Sequence, residues 1–325
     1  MLSIVIPCYN EEECLHVLRQ RVFASCAELP DWSFELILIN DGSKDATPQI
    51  IREMAETYPE VVAVLLSRNH GHQLALSAGL SIARGDRILI LDADLQDPPE
   101  LLRPMMQRMD EGVDVVYGQR KKRDGETLFK KLTATLFYRL INALSDVPIP
   151  MDTGDFRLMS RRALDVLQSM PENHRFIRGM VSWIGYRQEP FLYDRDARYA
   201  GTTHYPFLKM LAFALDAITS FSIRPLKLAS WFGGFFLLWA VGAFVWAFWT
   251  GWTQSGEPGW ASLIAVILFC ASAQMVVLGL IGEYLGRMYI EVKRRPLFII
   301  EQVIGRREMP VKGPQAHRQD APSKA

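Results

Sequence analysis

Cysteine is scarce, four in 325 residues, and Cys8, Cys14, Cys26 and Cys270 show no paired metal-ligand spacing. The first three fall in a part read as cytoplasmic, where thiols stay reduced, so all four read as small apolar residues. Neither sign of charge dominates: Lys plus Arg and Asp plus Glu are 36 each. The chain therefore lacks the global basic field of a nucleic-acid binder. No Gly-x-Gly-x-x-Gly follows any apolar run, which excludes a dinucleotide oxidoreductase. The opening MLSIVIP runs straight into a strand pattern with no basic n-region or cleavage site. The expectation is no signal peptide and an amino-terminal domain that stays in the cytoplasm.

The apolar pattern is rich by contrast. Strand-length runs recur at Leu2 to Ile6, Phe34 to Ile39, Val61 to Leu66, Ile88 to Leu91 and Asp114 to Tyr117. Helix-patterned segments lie between them at Glu11 to Ala27, Pro48 to Thr57, Gln73 to Arg84 and Glu100 to Asp110. This alternation predicts right-handed β-α-β units and a mostly parallel, Rossmann-like α/β sheet. Thr47 before Pro48 predicts a helix N-cap, and Gly85 a helix end.

The stretch RILILDADLQDPPE, residues 87–100, is the densest in chemistry. Its apolar run reads as a central strand buried on both faces, with Asp92 and Asp94 at its carboxyl end, where open α/β sheets bind ligands. Alternation in an extended segment would put Asp92, Asp94 and the Gln96 amide oxygen on one side, a hard-oxygen set suited to Mg²⁺ or Mn²⁺. By themselves the two aspartates read equally as turn and capping residues. The other strand ends carry Pro7-Cys8-Tyr9-Asn10-Glu11-Glu12, Asn40-Asp41-Gly42-Ser43 and Ser67-Arg68-Asn69-His70-Gly71-His72-Gln73. Asp41 alone could be an Asp-Gly turn, and His70 and His72 plain loop residues. Four polar loops on one rim nonetheless make a cleft.

Past Gly118 the chain changes character. Arg120, Lys121, Lys122, Arg123, Lys130 and Lys131 form a cluster that reads either as a solvated face or as a site for anionic headgroups or phosphate. Leu228 to Trp249 and Ala261 to Ile281 are uncharged and long enough to span a bilayer, which needs about 20 apolar residues. Their linker has no Lys or Arg, whereas Arg224 and Lys227 precede the first run and Arg287, Lys293, Arg294 and Arg295 follow the second. The positive-inside rule then puts both flanks and both termini in the cytoplasm. Tyr205 to Arg224 reads as interfacial amphipathic helix, and the tail after Ile304 as disordered. The expected organisation is a catalytic domain over 1–200, interfacial helices over 201–227, a two-span transmembrane hairpin over 228–282, and a cytoplasmic juxtamembrane segment and tail over 283–325.

With these pieces in order, VIPCYNEEE, NDGSKD, SRNHGHQLAL, DADLQDPPE, TGDFRLMSR and GEYLGRMYIEVKRRP resemble the family 2 glycosyltransferases of GT-A fold. Within that family the chain is most similar to the polyprenyl-phosphate sugar transferases, which include dolichol-phosphate mannose synthase, the undecaprenyl-phosphate aminoarabinose transferases and, nearest in pattern, the bactoprenol glucosyltransferases. The resemblance runs from Leu2 to about Ile304.

It implies inverting, metal-dependent transfer of a sugar from a nucleotide sugar to polyprenyl phosphate at the cytoplasmic side of the inner membrane, by a multi-pass protein that is a homo-oligomer, a tetramer in relatives. Pro7, Tyr9, Glu11 and Asp41 would hold base and ribose, with His72, Asp92 and Ala93 on the same nucleotide sugar. Asp92, Asp94 and Gln96 would bind Mg²⁺ or Mn²⁺, and Asp94 and Asp155 would be catalytic. Arg120, Lys130, Lys131, Arg157, Arg161 and His204 would meet the lipid phosphate. His204 stands where relatives carry lysine, in Gly201-Thr202-Thr203-His204-Tyr205. Read from its neighbours alone, Asp155 has a cap or turn role after Gly154 as its minority alternative.

A lipid monophosphate, with a second pKa of roughly 6, is largely ionised at neutral pH and needs little general-base help. Catalysis would rest on positioning and on charge stabilisation of the leaving group. The donor is expected to be UDP-glucose, with UDP-aminoarabinose or GDP-mannose as alternatives. A processive synthase would show Gln-x-x-Arg-Trp and more spans. A non-catalytic membrane scaffold would not need Asp92, Asp94 and Asp155 intact.

Overall fold

A computed structural model of the chain describes residues 1–121, 153–173, 175–194 and 260–305, with a few positions between 235 and 249. The described residues fall into two compact units, one built from 1–121, 153–194 and 296–305, the other containing 260–295.

The first unit is built on the expected β-α alternation: β1 (Leu2–Cys8), α1 (Leu15–Ala27), β2 (Phe34–Asn40), α2 (Thr47–Thr57), β3 (Val61–Leu66), α3 (His72–Ile82), β4 (Arg87–Ile90), α4 (Leu102–Asp110) and β5 (Val115–Arg120). Then come β6 (Thr153–Ser160), α5 (Arg161–Ser169), α6 (Ile177–Ile184), β7 (Gln188–Tyr193) and, from the far end of the chain, β8 (Ile300–Ile304). They make one eight-stranded sheet in the order β7-β5-β6-β4-β1-β2-β3-β8. All pairings are parallel except those of β6 with β4 and β5 and of β8 with β3.

The unbroken apolar strands are explained by burial on both faces. Helices α1, α2 and α4 pack together on one face of the sheet, and α3, α5 and α6 on the other. Ile4, Leu36 and Leu89 meet Leu15, Leu18 and Met105 in the first layer, all at most 1 % exposed. Each such side chain contributes roughly 1.5–3 kcal/mol on leaving water.

Several local expectations are corrected. Thr47 is the first residue inside α2 rather than its cap, and its hydroxyl accepts the Glu11 amide at 2.9 Å. Gly85 lies beyond the end of α3, where the C-cap is Ala83. A Cβ there would meet the Ser3 amide nitrogen at 2.5 Å, so Gly85 is needed for close backbone passage instead of a left-handed cap. The segment assigned to the juxtamembrane region and tail supplies β8, whose Ile304, Val303 and Gln302 pair with Ala63, Val64 and Leu65.

In the second unit, α7 (Trp260–Lys293) is long and apolar enough to cross a bilayer by length and composition. The first expected span, the interfacial helices and the tail beyond Gly305 lie outside the described residues, the few positions between 235 and 249 excepted.

Candidate active site

The carboxyl ends of β1, β2, β3 and β4 share one rim, as parallel pairing requires. The first two loops brace each other. The Asn10 amide donates to Ser43 Oγ at 3.0 Å, the Lys44 amide to Asn10 Oδ1 at 2.8 Å and the Ala46 amide to Glu12 Oε2 at 2.8 Å. Asp41, 3 % exposed, turns to the third loop and accepts the amides of His70 and Gly71 at 2.7 and 2.9 Å. Gly42 permits this closeness: its φ is +64° and a Cβ would meet the Asn69 nitrogen at 2.5 Å. The resulting cleft, about 250 Å³, is lined by Pro7, Cys8, Tyr9, Glu11, Asp41, Asn69, Gly71, His72, Ala75, Asp92, Ala93 and Asp94. Every residue expected at the nucleotide sugar is among them.

After β4 the chain turns instead of staying extended. Leu95 has φ +59°, and the Gln96 amide donates to Asp94 Oδ1 at 3.2 Å. The alternation argument for Asp92, Asp94 and Gln96 therefore fails, although both aspartates line the cleft. Gln96 does not line it.

Asp155 reaches the same place from the reversed strand β6, whose amino end lies at the rim because it runs against β4. Only 2 % exposed, Asp155 takes Gln73 Nε2 at 2.8 Å and His72 Nε2 at 3.2 Å on Oδ2, and Arg178 Nε at 2.9 Å on Oδ1. Arg157 NH2 stands 3.9 Å away. Burial alone would raise the Asp155 carboxyl, and the Arg178 guanidinium, the His72 and Arg178 bonds and Arg157 outweigh it, holding it well below the usual carboxylate range. Asp92 goes the other way: burial, with Asp155, Asp97 and Asp94 nearby, pushes it up to about 6 against the opposing pull of His72.

His72, Asp92 and Asp155 offer ligand atoms within 4.8 Å of one another. His72 Nε2 is 3.4 Å from Asp92 Oδ1, yet that buried oxygen accepts no hydrogen bond. A buried carboxylate oxygen without a donor, on a group whose pKa is raised by burial and then by neighbouring carboxylates, fits a divalent cation. Asp155 is already matched by two guanidinium groups, so of the three the Asp92 oxygen is the best-suited donor for such an ion.

Of the residues expected at the lipid phosphate, Arg120, Arg157 and Arg161 are described, and they do not converge on one site. Arg120 ends β5, and its NH2 would lie 3.6 Å from a Cβ built at Gly154. Arg157 is 3 % exposed and gives its donors to the carbonyls of Asp155 and Gly154, so it lies under the site. Arg161 is corrected outright: it bonds the carbonyls of Ala83 and Gly85 at the opposite edge of the sheet. Antiparallel β6 carries it there, six residues or about 20 Å from Asp155. Lys130, Lys131 and His204 lie outside the described residues. Arg178 and the inward role of Gln73 escape the sequence reading, their only signal being a lone guanidinium in the apolar run FIRGMVSWIG.

A family model described as "Glycosyl transferase family 2" matches residues 3–167. The "Uncharacterized glycosyltransferase YkcC" of Bacillus subtilis (strain 168) is 46% identical over 309 residues, covering 93% of this chain and 94% of that one. The chain belongs to glycosyl transferase family 2. It is a glycosyltransferase, and its mixed, mostly parallel sheet is the GT-A fold of that family. The "Prophage bactoprenol glucosyl transferase homolog" of Escherichia coli (strain K12) is 40% identical over 306 residues, 93% of this chain and 99% of that one. A second family model, "GtrB C-terminal hairpin", matches residues 224–288. Among solved structures, S. aureus TarS 1-349 in complex with UDP-GlcNAc is 18% identical, covers 67% of this chain and 65% of that one, and has a TM-score of 0.46.

Proposed function

We propose that this glycosyltransferase moves glucose from UDP-glucose to polyprenyl phosphate, in the form of undecaprenyl phosphate, with inversion, at the cytoplasmic face of the membrane. The product is a lipid-linked sugar donor for cell-envelope glycosylation. The observation that carries this reading is the meeting of His72, Asp92 and Asp155 on one rim, at a cleft that also takes in Asp94 and every residue expected at the nucleotide sugar. The similarity to a relative named for bactoprenol glucosyl transfer supports the acceptor.

Pro7, Tyr9, Glu11 and Asp41, all lining the cleft, bind base and ribose. Asp92 and Asp94 would hold a Mg²⁺ or Mn²⁺ ion, which supplies positive charge for the departing diphosphate. The ionised lipid phosphate attacks the anomeric carbon with one oxygen as the bond to the diphosphate breaks. Asp155, kept ionised by Arg178, orients the acceptor side and supports the positive charge that develops on the sugar ring. Arg120, with Lys130 and Lys131, grips the acceptor phosphate. The match of residues 224–288 to a hairpin model, with cations on the outer flanks, supports two spans with both ends in the cytoplasm.

The test is to incubate the purified full-length protein and undecaprenyl phosphate with a panel of UDP and GDP sugars and weigh the lipid product. A hexose adduct from UDP-glucose is expected. Product from GDP-mannose or UDP-aminoarabinose would reassign the donor, and no lipid product from any sugar would overturn the reading.

A further inference from the structure

We infer that Arg178 and Gln73 are positioning residues that set the Asp155 carboxylate for transfer, a role that rests on the proposed action of Asp155 beside the acceptor. Arg178 comes from the first turn of α6 and meets both carboxylate oxygens, with Nε 2.9 Å from Oδ1 and NH2 3.3 Å from Oδ2. Its NH1 donates to the Thr153 carbonyl at 3.0 Å, so the fork is anchored to the same strand that carries Asp155. A planar guanidinium fixes the rotation of a carboxylate as well as its charge, which an ammonium cannot do.

Gln73 completes the hold from α3. Its Nε2 donates to Asp155 Oδ2 at 2.8 Å, while its Oε1 accepts the Ile177 amide at 3.1 Å. The Ile177 amide can only donate, which leaves Gln73 one orientation, with its NH₂ toward Asp155. One side chain thereby ties the carboxylate to the start of the helix that bears Arg178. Charge balance alone does not call for this, because Arg157 already lies beneath Asp155 with its NH2 3.9 Å from Oδ1. What the pair adds is direction.

The variants are Arg178→Gln, Arg178→Lys and Gln73→Ala in the full-length protein, each measured for thermal unfolding, UDP affinity and kcat of lipid-linked sugar formation. Arg178→Gln should lower kcat by roughly tenfold or more, as expected when a bond to an ionised group is lost. Arg178→Lys should recover only part of this, since it restores the charge without the fork. UDP affinity should stay within about twofold for all three, because neither side chain lines the nucleotide cleft. Gln73→Ala, a substitution that a helix accepts readily, should also lower kcat with little change in unfolding temperature, and it keeps the test open if Arg178→Gln impairs folding. Wild-type kcat in both Arg178→Gln and Gln73→Ala, full recovery by Arg178→Lys, or a loss that resides in UDP affinity would overturn the proposal. Lipid product from the wild-type protein in the same assay carries the transfer reading by itself, so a loss confined to the variants bears on the clamp alone.

Discussion

The Asp41 carboxylate accepts the His70 amide at 2.7 Å, so a buried acid at the end of one strand shapes the loop at the end of the next. With the Gly71 amide on its other oxygen, Asp41 organises two backbone N–H groups on the nucleotide rim. Removing it leaves both without their acceptor, at about 1–3 kcal/mol each where they stay dry. Asp41→Ala should therefore weaken UDP binding by tenfold or more, by titration calorimetry, while the unfolding temperature drops. Unchanged UDP affinity would separate Asp41 from the nucleotide site.

Asp94→Asn should abolish transfer and leave the protein folded and membrane-bound, because the change removes charge and keeps shape. EDTA should mimic it on the wild-type protein, with Mg²⁺ or Mn²⁺ restoring activity. Near wild-type turnover by the variant, or in metal-free buffer, would remove the ion from the reaction.

What could be read in advance follows from the physics of each element. Strands β1 to β4 are continuous apolar runs closed by turn residues, and buried parallel strands must look like that. Strand β6 was hidden by TGDFRLMS, in which Asp155 and Arg157 look like surface residues yet are 2 % and 3 % exposed, because Asp155 is answered by Arg178 and Gln73 and Arg157 gives its donors to the Asp155 and Gly154 carbonyls. Its reversed direction is a tertiary fact with no local mark, and it is why Asp155 reaches the rim while Arg161 does not. Strand β8 is five residues whose partner β3 lies near the other end of the chain. The cleft residues were legible as loop chemistry, but the partners that orient Asp155 come from α3 and α6, and only packing brings them together.

Acid sensitivity should show at Asp114, 4 % exposed, which accepts the Ser160 hydroxyl at 2.9 Å and pairs with the Arg162 guanidinium. The Arg162 bond holds the Asp114 carboxyl below its ordinary value. A depressed folded-state pKa means that the stabilisation is present above the unfolded value, near 3.9, and is lost as pH falls through the lower folded one. Asp114→Asn should lower the unfolding temperature at pH 7 modestly, since the exposed Arg162 side chain is screened by water, with the gap to wild type closing below about pH 4. A gap that stayed constant with pH, in thermal unfolding of the detergent-solubilised chain, would show that the charge is not what stabilises there.

The orientation proposed for a two-span hairpin rests on charge and is open to a direct test. The linker TGWTQSGEPGW lacks Lys and Arg, while cations crowd the segments before Leu228 and after Ile281. Translocating those flanks would carry several cations across the bilayer, which the positive-inside rule disfavours. The return of the chain to the same sheet fits flanks that share one side, whichever side that is, since Ile300–Ile304 follow α7 in sequence and pair with β3 of the catalytic unit. In a background without the native cysteines, a cysteine replacing Ser255 should react with a membrane-impermeant thiol reagent in intact cells. One replacing Lys312 should react only after the cells are opened. Both positions lie outside the described residues, so the labelling rests on the charge flanks, and the reverse pattern would place the catalytic unit on the other side of the membrane from the one that the positive-inside rule gives.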